Sequence, residues 1–159
     1  MSKDIQIIPK AIADSVVNTF KVQFQTPSEI VSVVTEPPSP LGNKSLMATL
    51  GLKSSDFGGS LALWFPETTF LPIVNHMMGE NDTCITKDNA DAAGEILNII
   101  YTTAKTKINE TGFDFQPSIP TVVIGTNLQL GQGSATKIMK LNCKCSHGEF
   151  YVIILLSKK

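Results

Sequence analysis

The sequence predicts an α+β fold in which a helix–strand–hairpin unit occurs twice, forming a mostly antiparallel sheet covered by long helices. Three observations support this prediction: three segments have helical apolar spacing, six have extended character, and two hairpins resemble each other. The 159 residues suit a single domain, residues 1–159, and at this length a self-sufficient core is feasible.

The first predicted helix covers residues 9–24, because Ile12, Val16 and Phe20 recur at helical spacing and Pro9 suits a first turn. Its apolar stripe predicts one face packed on a sheet.

The second predicted helix follows Pro66 and ends near Gly79. Pro72 has to fall early in this helix or it disturbs the helix, because proline lacks the backbone N–H. Met77 and Met78 are interpreted as core-filling residues, since methionine adapts to irregular gaps.

The third and longest predicted helix covers residues 86–110. Thr86 and the polar residues after it form a capping region, and Asp88 in the first turn favours the helix dipole. Gly112 is a suitable stop.

Val- and Ile-rich or alternating segments predict the strands. They are residues 29–35, 45–52, 60–65, 120–130, 136–145 and 150–156. The turn-prone segments 53–59 and 146–149 predict two hairpins, and Pro37, Pro38 and Pro40 mark a loop.

The two hairpins are similar in sequence, and each follows a long helix and an extended segment. The segments that align are 47–52 with 138–143 and 59–65 with 148–154. Internal similarity of this kind indicates a duplicated unit, with pseudo-repeats at about 5–80 and 86–157.

Charge and hydropathy exclude several classes of partner. The net charge is −1 and no basic stripe appears, which argues against nucleic acid and an anionic membrane surface. No apolar run reaches the ~20 residues of a membrane helix. Residues 1–6 lack the features of a signal peptide, so we expect a cytoplasmic protein.

Cysteine and histidine usage predicts no metal site. Cys143 and Cys145 alternate on one strand face with His147 nearby, but three such residues on a hairpin are weak evidence for a metal. We interpret these thiols and Cys84 as reduced and structural. His76 and His147 are isolated, and no catalytic triad, phosphate-binding glycine loop or zinc-ligand spacing appears.

The third helix has two distinct faces when its residues are placed at 100° intervals. The predicted core stripe consists of Ala93, Leu97, Ile100, Ala104 and Ile108. The opposite, polar face consists of Asp91, Glu95, Asn98, Thr102 and Lys105. Such a stripe is usually a solvated surface, but Glu95 and Asn98 are i,i+3 neighbours that can act together.

Gly94 lies at the border between these faces and costs the helix about 1 kcal/mol relative to alanine. Either a packed strand or an approaching partner gains from the missing side chain. Both interpretations of Gly94 remain open from the residues alone.

The pattern Asp91-x-x-x-Glu95-x-x-Asn98, followed by residues 120–125, resembles the signature of the CheC/CheX/FliY family of chemotaxis phosphatases, and most closely that of CheX. Residues 58–66 and 77–80 support the resemblance. The proline of the family pattern comes one residue early, at Pro120, and Pro117 is a weaker candidate for it.

The resemblance implies a CheC-like duplicated fold and a phosphatase that hydrolyses the phospho-aspartate of a CheY-like response regulator. It implies that Asn98 orients the attacking water and Glu95 pairs with the regulator's active-site lysine. Asp91, Gly94 and Thr102 would contact the partner. The Mg²⁺ would be on the regulator, and the chain would need no cofactor of its own.

The resemblance also implies one active site in a homodimer joined through its sheet. Some members of the family carry two active helices. In this chain residues 14–18 occupy the corresponding place in the first helix, with Ser15 in place of the glutamate, so we expect the first half to be inactive.

Two other classes of function remain open. One is a non-catalytic module that binds receiver domains in a chemotaxis, flagellar or other two-component assembly. The other, a small-molecule or metal enzyme, has little support because its motifs are missing from the sequence.

Overall fold

The computed structural model describes residues 4–36, 42–131 and 133–159. The predicted loop at Pro37, Pro38 and Pro40 lies outside these residues. The described helices are α1 (Ile7–Gln23), α2 (Glu67–Met78) and α3 (Lys87–Glu110). The described strands are β1 (Ser28–Val34), β2 (Ser45–Lys53), β3 (Phe57–Pro66), β4 (Gln116–Pro117), β5 (Thr121–Gly125), β6 (Lys137–Cys145) and β7 (Gly148–Lys158).

All strands join one antiparallel sheet in the order β1-β6-β7-β3-β2-β4, with β5 pairing to the same β2 as β4. The order of helix, strand and hairpin occurs twice, which confirms the predicted α+β class and its duplicated plan. The edges of the sheet are β1 on one side and β4 with β5 on the other.

An approximate two-fold relation connects the halves. Ala62 of β3 is opposite Ile153 of β7 at the centre of the sheet. Leu50 pairs with Leu61, and Leu141 pairs with Val152. When β2 is superposed on β6, residue 61 therefore falls on residue 152. The predicted alignment of 59–65 with 148–154 places residue 61 on residue 150, so it is wrong by two residues. A two-residue slip preserves the inward and outward alternation of a strand, which is why the pattern did not exclude it.

Two strand boundaries also differ from the prediction. β3 begins at Phe57, so Gly58 and Gly59 lie in the strand and not in the turn. The predicted strand 120–130 ends at Gly125, after which Asn127 has a positive φ of 53°. The residues that follow fold over the outer face of the sheet. The two-residue strand β4 was not predicted.

The main core lies between the helices and the inner face of the sheet. Phe20 of α1 stacks on Phe150 of β7 with ring centroids 4.6 Å apart, and Phe65 packs beside both. On the outer face, a smaller apolar cluster forms around Trp64 and includes Leu128 and Leu130. Leu128 and Leu130 alternate with polar residues because they pack on this second cluster, and this alternation is why the predicted strand extended to residue 130.

α2 continues through Pro72 to Gly79, whose positive φ of 68° ends it as predicted. Met77 packs partly against the core, but Met78 is half exposed, so the core-filling prediction is wrong for Met78. Met78 lies at the very end of α2, where Gly79 and Glu80 after it are also exposed, so it is beyond the core that buries the earlier turns. None of the helices in the described ranges has the length and apolarity to cross a membrane.

The hydrogen bonds of the buried Asn89 side chain determine where α3 begins. The predicted cap at Thr86 is confirmed as a capping box: Asn89 N donates to Thr86 Oγ1 (3.2 Å), and Thr86 N donates to Asn89 Oδ1 (2.8 Å). Asn89 Nδ2 also donates to Asp82 Oδ2 and to the Cys84 carbonyl, both at 3.0 Å. The Asn89 side chain therefore links the loop before α3 to its first turn.

We expect Asn89→Ala to lower the free energy of unfolding by about 2 kcal/mol, because it removes half of the capping box and the two hydrogen bonds from Asn89 Nδ2 to Asp82 and Cys84. Urea denaturation followed by circular dichroism measures this change. Asn18→Ala, at an exposed position of α1, is the matched control and should leave stability nearly unchanged. Equal stability of the two variants would contradict the structural role of Asn89.

Candidate functional site

The buried face of α3 matches the predicted core stripe. All five residues of that stripe are buried: Ala93, Leu97, Ile100, Ala104 and Ile108. They pack in the main core, where the helix contacts α1, β2 and β5. The orientation of the whole helix is therefore determined by its apolar side.

The opposite face of α3 is open. Asp91, Glu95, Asn98 and Thr102 are exposed, and Lys105 is half-buried. Within the described part of the chain, no side-chain hydrogen bond or ion pair involves Asp91, Glu95 or Asn98. Their carboxylate and carboxamide groups are free to bind an external partner.

A shallow depression of about 320 Å³ lies along this face. The residues that line it are Asp91, Gly94, Glu95, Asn98, Pro120 and Val122. Four of the five residues proposed for the site are thus brought together, whereas Thr102 lies outside the depression. Val122 was not singled out in the sequence, since a half-buried valine in a strand has no distinguishing pattern.

Pro120 and the β5 residue Val122 pack against the Gly94 position of α3. A Cβ atom at this position would lie 3.4 Å from Pro120 Cβ and 3.5 Å from Val122 Cγ2. A strand therefore does pack at Gly94, as one of the two interpretations expected, but at distances that an alanine would also allow. Clearance for a partner stays a prediction, because Gly94 also lines the depression.

Pro120 is the proline that borders the site. It lies directly before β5 and against Gly94, so its early position in the sequence does not remove it from the depression. Pro117 pairs with Leu52 in β4 and does not line the depression.

In α1, the exposed face does not contain Ser15, the residue expected in the place of the glutamate. Ser15 is 3% exposed and donates to the Ile100 carbonyl oxygen at 2.6 Å, so it cannot hold the exposed position of a glutamate. Every buried residue of α1 matches a buried residue of α3 that lies 81 positions later. This register aligns Asp14 with Glu95 and Val17 with Asn98.

The assignment of Ser15 is thus wrong by one residue, because α1 carries no clear motif from which to read its register. The exposed Asp14 carboxylate lies 3.7 Å from Lys107 Nζ, across the groove between α1 and α3. In the first half, Val17 occupies the position that corresponds to Asn98, so no carboxamide is present there.

The other reactive side chains lie outside this site. Burial raises the pKa of Tyr101, on the buried side of α3, to about 12, so its phenol stays neutral. Burial, followed by the charge of Cys145, raises the pKa of the Cys143 thiol to about 12. All three cysteines are free, with Cys84 exposed. The described residues contain no group of three or more side chains suited to hold a metal.

Comparison with known families identifies a match in the region of the site. The profile of the family described as chemotaxis phosphatase CheX matches residues 46–144, more than half of the chain. The matched region contains the whole of α3 and β5, and therefore every residue that lines the depression. No curated protein sequence matches this chain.

Solved structures show the same fold. The crystal structure of a CheC-like superfamily protein from Shewanella sp. PV-4 has a TM-score of 0.87 at 24% identity, covering 97% of this chain and 99% of that one. Chemotaxis protein CheX from Vibrio vulnificus has a TM-score of 0.86 at 21% identity, covering 96% and 99%. The CheX–CheY–BeF3–Mg²⁺ complex from Borrelia burgdorferi gives 0.72 at 17% identity, covering 93% and 96%. The fold is therefore CheC-like.

We expect Gly94→Ala to keep the free energy of unfolding unchanged or to raise it by up to about 1 kcal/mol. Alanine is the better helix former, and its methyl group would meet Pro120 and Val122 at ordinary contact distance. Thermal and urea denaturation measure the effect.

Gly59→Ala is the contrasting control, since its Cβ would overlap the Leu155 carbonyl oxygen of the neighbouring strand. It should lower the free energy of unfolding by about 2 kcal/mol or more. A loss of the same size for Gly94→Ala would mean that β5 packs more tightly on α3 than the structure shows.

Proposed function

This chain belongs to the CheX family of chemotaxis phosphatases, and from that premise we propose that it hydrolyses the phospho-aspartate of a CheY-like response regulator. One observation carries the proposal. Glu95 and Asn98 lie three residues apart on the exposed face of α3, without side-chain partners, at a depression bordered by Pro120.

The chemistry suits a partner that brings its own phosphoryl group. Hydrolysis of an acyl phosphate needs an in-line water and stabilisation of charge more than it needs a covalent intermediate on the protein. A receiver domain carries the phospho-aspartate, a Mg²⁺ ion and a lysine. The structural relative from Borrelia burgdorferi is a complex of CheX with CheY, BeF3 and Mg²⁺, which supports a receiver as the partner and Mg²⁺ as the ion that the receiver brings. This chain is proposed to need no cofactor of its own.

Asn98 is proposed to orient the attacking water. Its carboxamide has both an acceptor oxygen and a donor NH₂ group, and it is exposed near the middle of a rigid helix. A water-positioning carboxamide of this kind occurs in GTPases, where a glutamine has the role. Because the helix is fixed by its buried side, little reorganisation is needed when the partner docks.

Glu95 is proposed to bind the regulator's active-site lysine and so to determine the docking register. It lies nearly one turn before Asn98, so both side chains enter the partner's active site from the same face. Asp91 and Thr102 extend this exposed face by one turn on either side and are proposed as further partner contacts. Gly94 would allow the partner to approach the helix backbone.

We expect Asn98→Ala to lower kcat by about 100-fold or more, because a water-orienting dipole is lost from the transition state. Glu95→Ala should raise KM about 30-fold, since it leaves the regulator's lysine unpaired at the interface. The measurement is phosphate release from purified CheY-like receiver domains of the source organism, phosphorylated with a small-molecule phosphodonor.

Asn18→Ala is the matched control for this assay, because Asn18 is an exposed helical asparagine in the other half of the chain. It should retain the wild-type rate. Wild-type rates for both Asn98→Ala and Glu95→Ala would refute the assignment. Stable binding of the receiver without faster phosphate loss would instead select the non-catalytic binding module.

A homodimer joined through the sheet is proposed on the basis of the β1 edge. Among the described strands, β1 pairs only with β6, and its Val31 and Val33 are 61% and 53% exposed. An unpaired apolar strand edge is suited to pairing with a second copy. The proposed catalytic face adjoins β5 at the opposite edge, so a β1 dimer would leave it open.

We expect Val31→Lys to convert the dimer into a monomer, because a charge on a paired strand edge opposes strand addition. Sedimentation velocity measures the change. Val123→Lys, which places the same charge on the β5 edge, is the control and should leave the dimer intact. The reverse result would assign the dimer to the β5 edge.

A further inference from the structure

Exposed apolar side chains are concentrated beside the proposed site. Among the described residues, seven large hydrophobic side chains are exposed, and three of them occupy one short stretch: Ile119, Val123 and Ile124. This stretch includes Pro120 and Val122, which line the depression. Ile119 is the most exposed of the seven, at 89%.

The residues on both sides of Ile119 hold it in place. Ser118 N donates to the Gly51 carbonyl oxygen (2.9 Å), and Gly51 N donates to Ser118 Oγ (2.7 Å). On the other side, Pro120 lies against the position of Gly94 on α3. A residue before proline is also restricted to extended conformations. Ile119 therefore projects from a segment that is anchored at both ends.

A single exposed hydrophobic residue is ordinary on a protein surface. Ile119 differs in its position, because it immediately precedes the proline that borders the depression and its backbone is constrained on both sides. A docking pose that brings Asn98 to a phosphoryl group on a globular partner also covers the rim of the depression. Residues that dominate binding energy fill desolvated pockets of the partner, and a constrained apolar side chain at this rim is placed to do so.

We propose that Ile119 is an affinity-determining anchor that inserts into an apolar pocket beside the active site of the receiver domain. This inference rests on the proposed function and adds to it a residue that selects the partner. Ile119 does not line the depression, so it does not contact the phosphoryl group. It acts on the binding of the regulator and not on the chemical step.

Receivers that lack an apolar pocket at this point would leave Ile119 against polar groups and bind more weakly. Discrimination among the receivers of one cell would then depend on this contact. The Glu95–lysine pair cannot discriminate in this way, because every receiver of this class offers the same lysine.

The test is steady-state phosphatase kinetics of Ile119→Ser with a phosphorylated CheY-like receiver domain, together with binding of the same receiver in its BeF3–Mg²⁺ form. We expect KM and Kd to rise about tenfold while kcat at saturating receiver stays at the wild-type value. Ile119→Leu should restore most of the affinity. Thermal unfolding should be unchanged, since the side chain has few contacts to lose.

Met78→Ser is the matched control, since Met78 is an exposed apolar residue of α2, which packs over β3 and β7 and not over β5. It should retain the wild-type KM. An unchanged KM for Ile119→Ser, or an equal rise for Met78→Ser, would overturn the inference while leaving the phosphatase proposal intact.

The phosphatase proposal can also fail while the inference about Ile119 holds. A wild-type chain that binds receivers without accelerating phosphate loss, but binds them more weakly after Ile119→Ser, would refute the phosphatase proposal and support the anchor. A wild-type chain that neither binds nor accelerates would refute both.

Discussion

The antiparallel pairing of β3 with β7 joins the two hairpins into one sheet, and the positions of all other elements depend on it. The pairing requires a glycine at residue 59, where any Cβ would overlap the Leu155 carbonyl oxygen. At its centre Ala62 lies opposite Ile153, the two residues that the approximate two-fold relation exchanges. Because the joined sheet has one continuous apolar inner face, the apolar faces of α1 and α3 pack against it.

This constraint makes the outer side of α3 suitable for chemistry. Leu97 and Ile100, fully buried on either side of Asn98, fix the rotation of the helix about its axis. The capping box at Thr86 and Asn89 fixes its starting point. A carboxamide on such a helix is positioned more accurately than one on a loop, so stability and the proposed function are divided between opposite faces of the same element.

Local patterns were readable from the sequence, and long-range register was not. The faces of α3 and its cap at Thr86 follow from spacing and side-chain chemistry within one helix. The alignment of the hairpins failed because a strand slipped by two residues has the same alternation. The assignment of Ser15 failed because only packing against Ile100 reveals which side of α1 it occupies. The contacts of Gly94 are with Pro120 and Val122, 26 and 28 positions away, which no local pattern contains.

The two halves of the duplicated unit differ in ways that suit the two proposed roles, self-association and phosphatase activity. Thr121 pairs with Thr49 of β2, and Val34 of β1 pairs with Lys140, the β6 residue that superposes on Thr49. The two-fold relation therefore matches Thr121 with Val34, and Pro120 with Val33. In the second half the proline lies against a glycine, and a carboxamide is exposed nearby; in the first half Val33 is exposed, and Val17 replaces the carboxamide. An apolar, unpaired edge favours association with another chain, whereas a polar helix face favours recognition of a charged group. The loss of the polar pair from α1 therefore leaves that half suited to the proposed self-association, while α3 retains the proposed site.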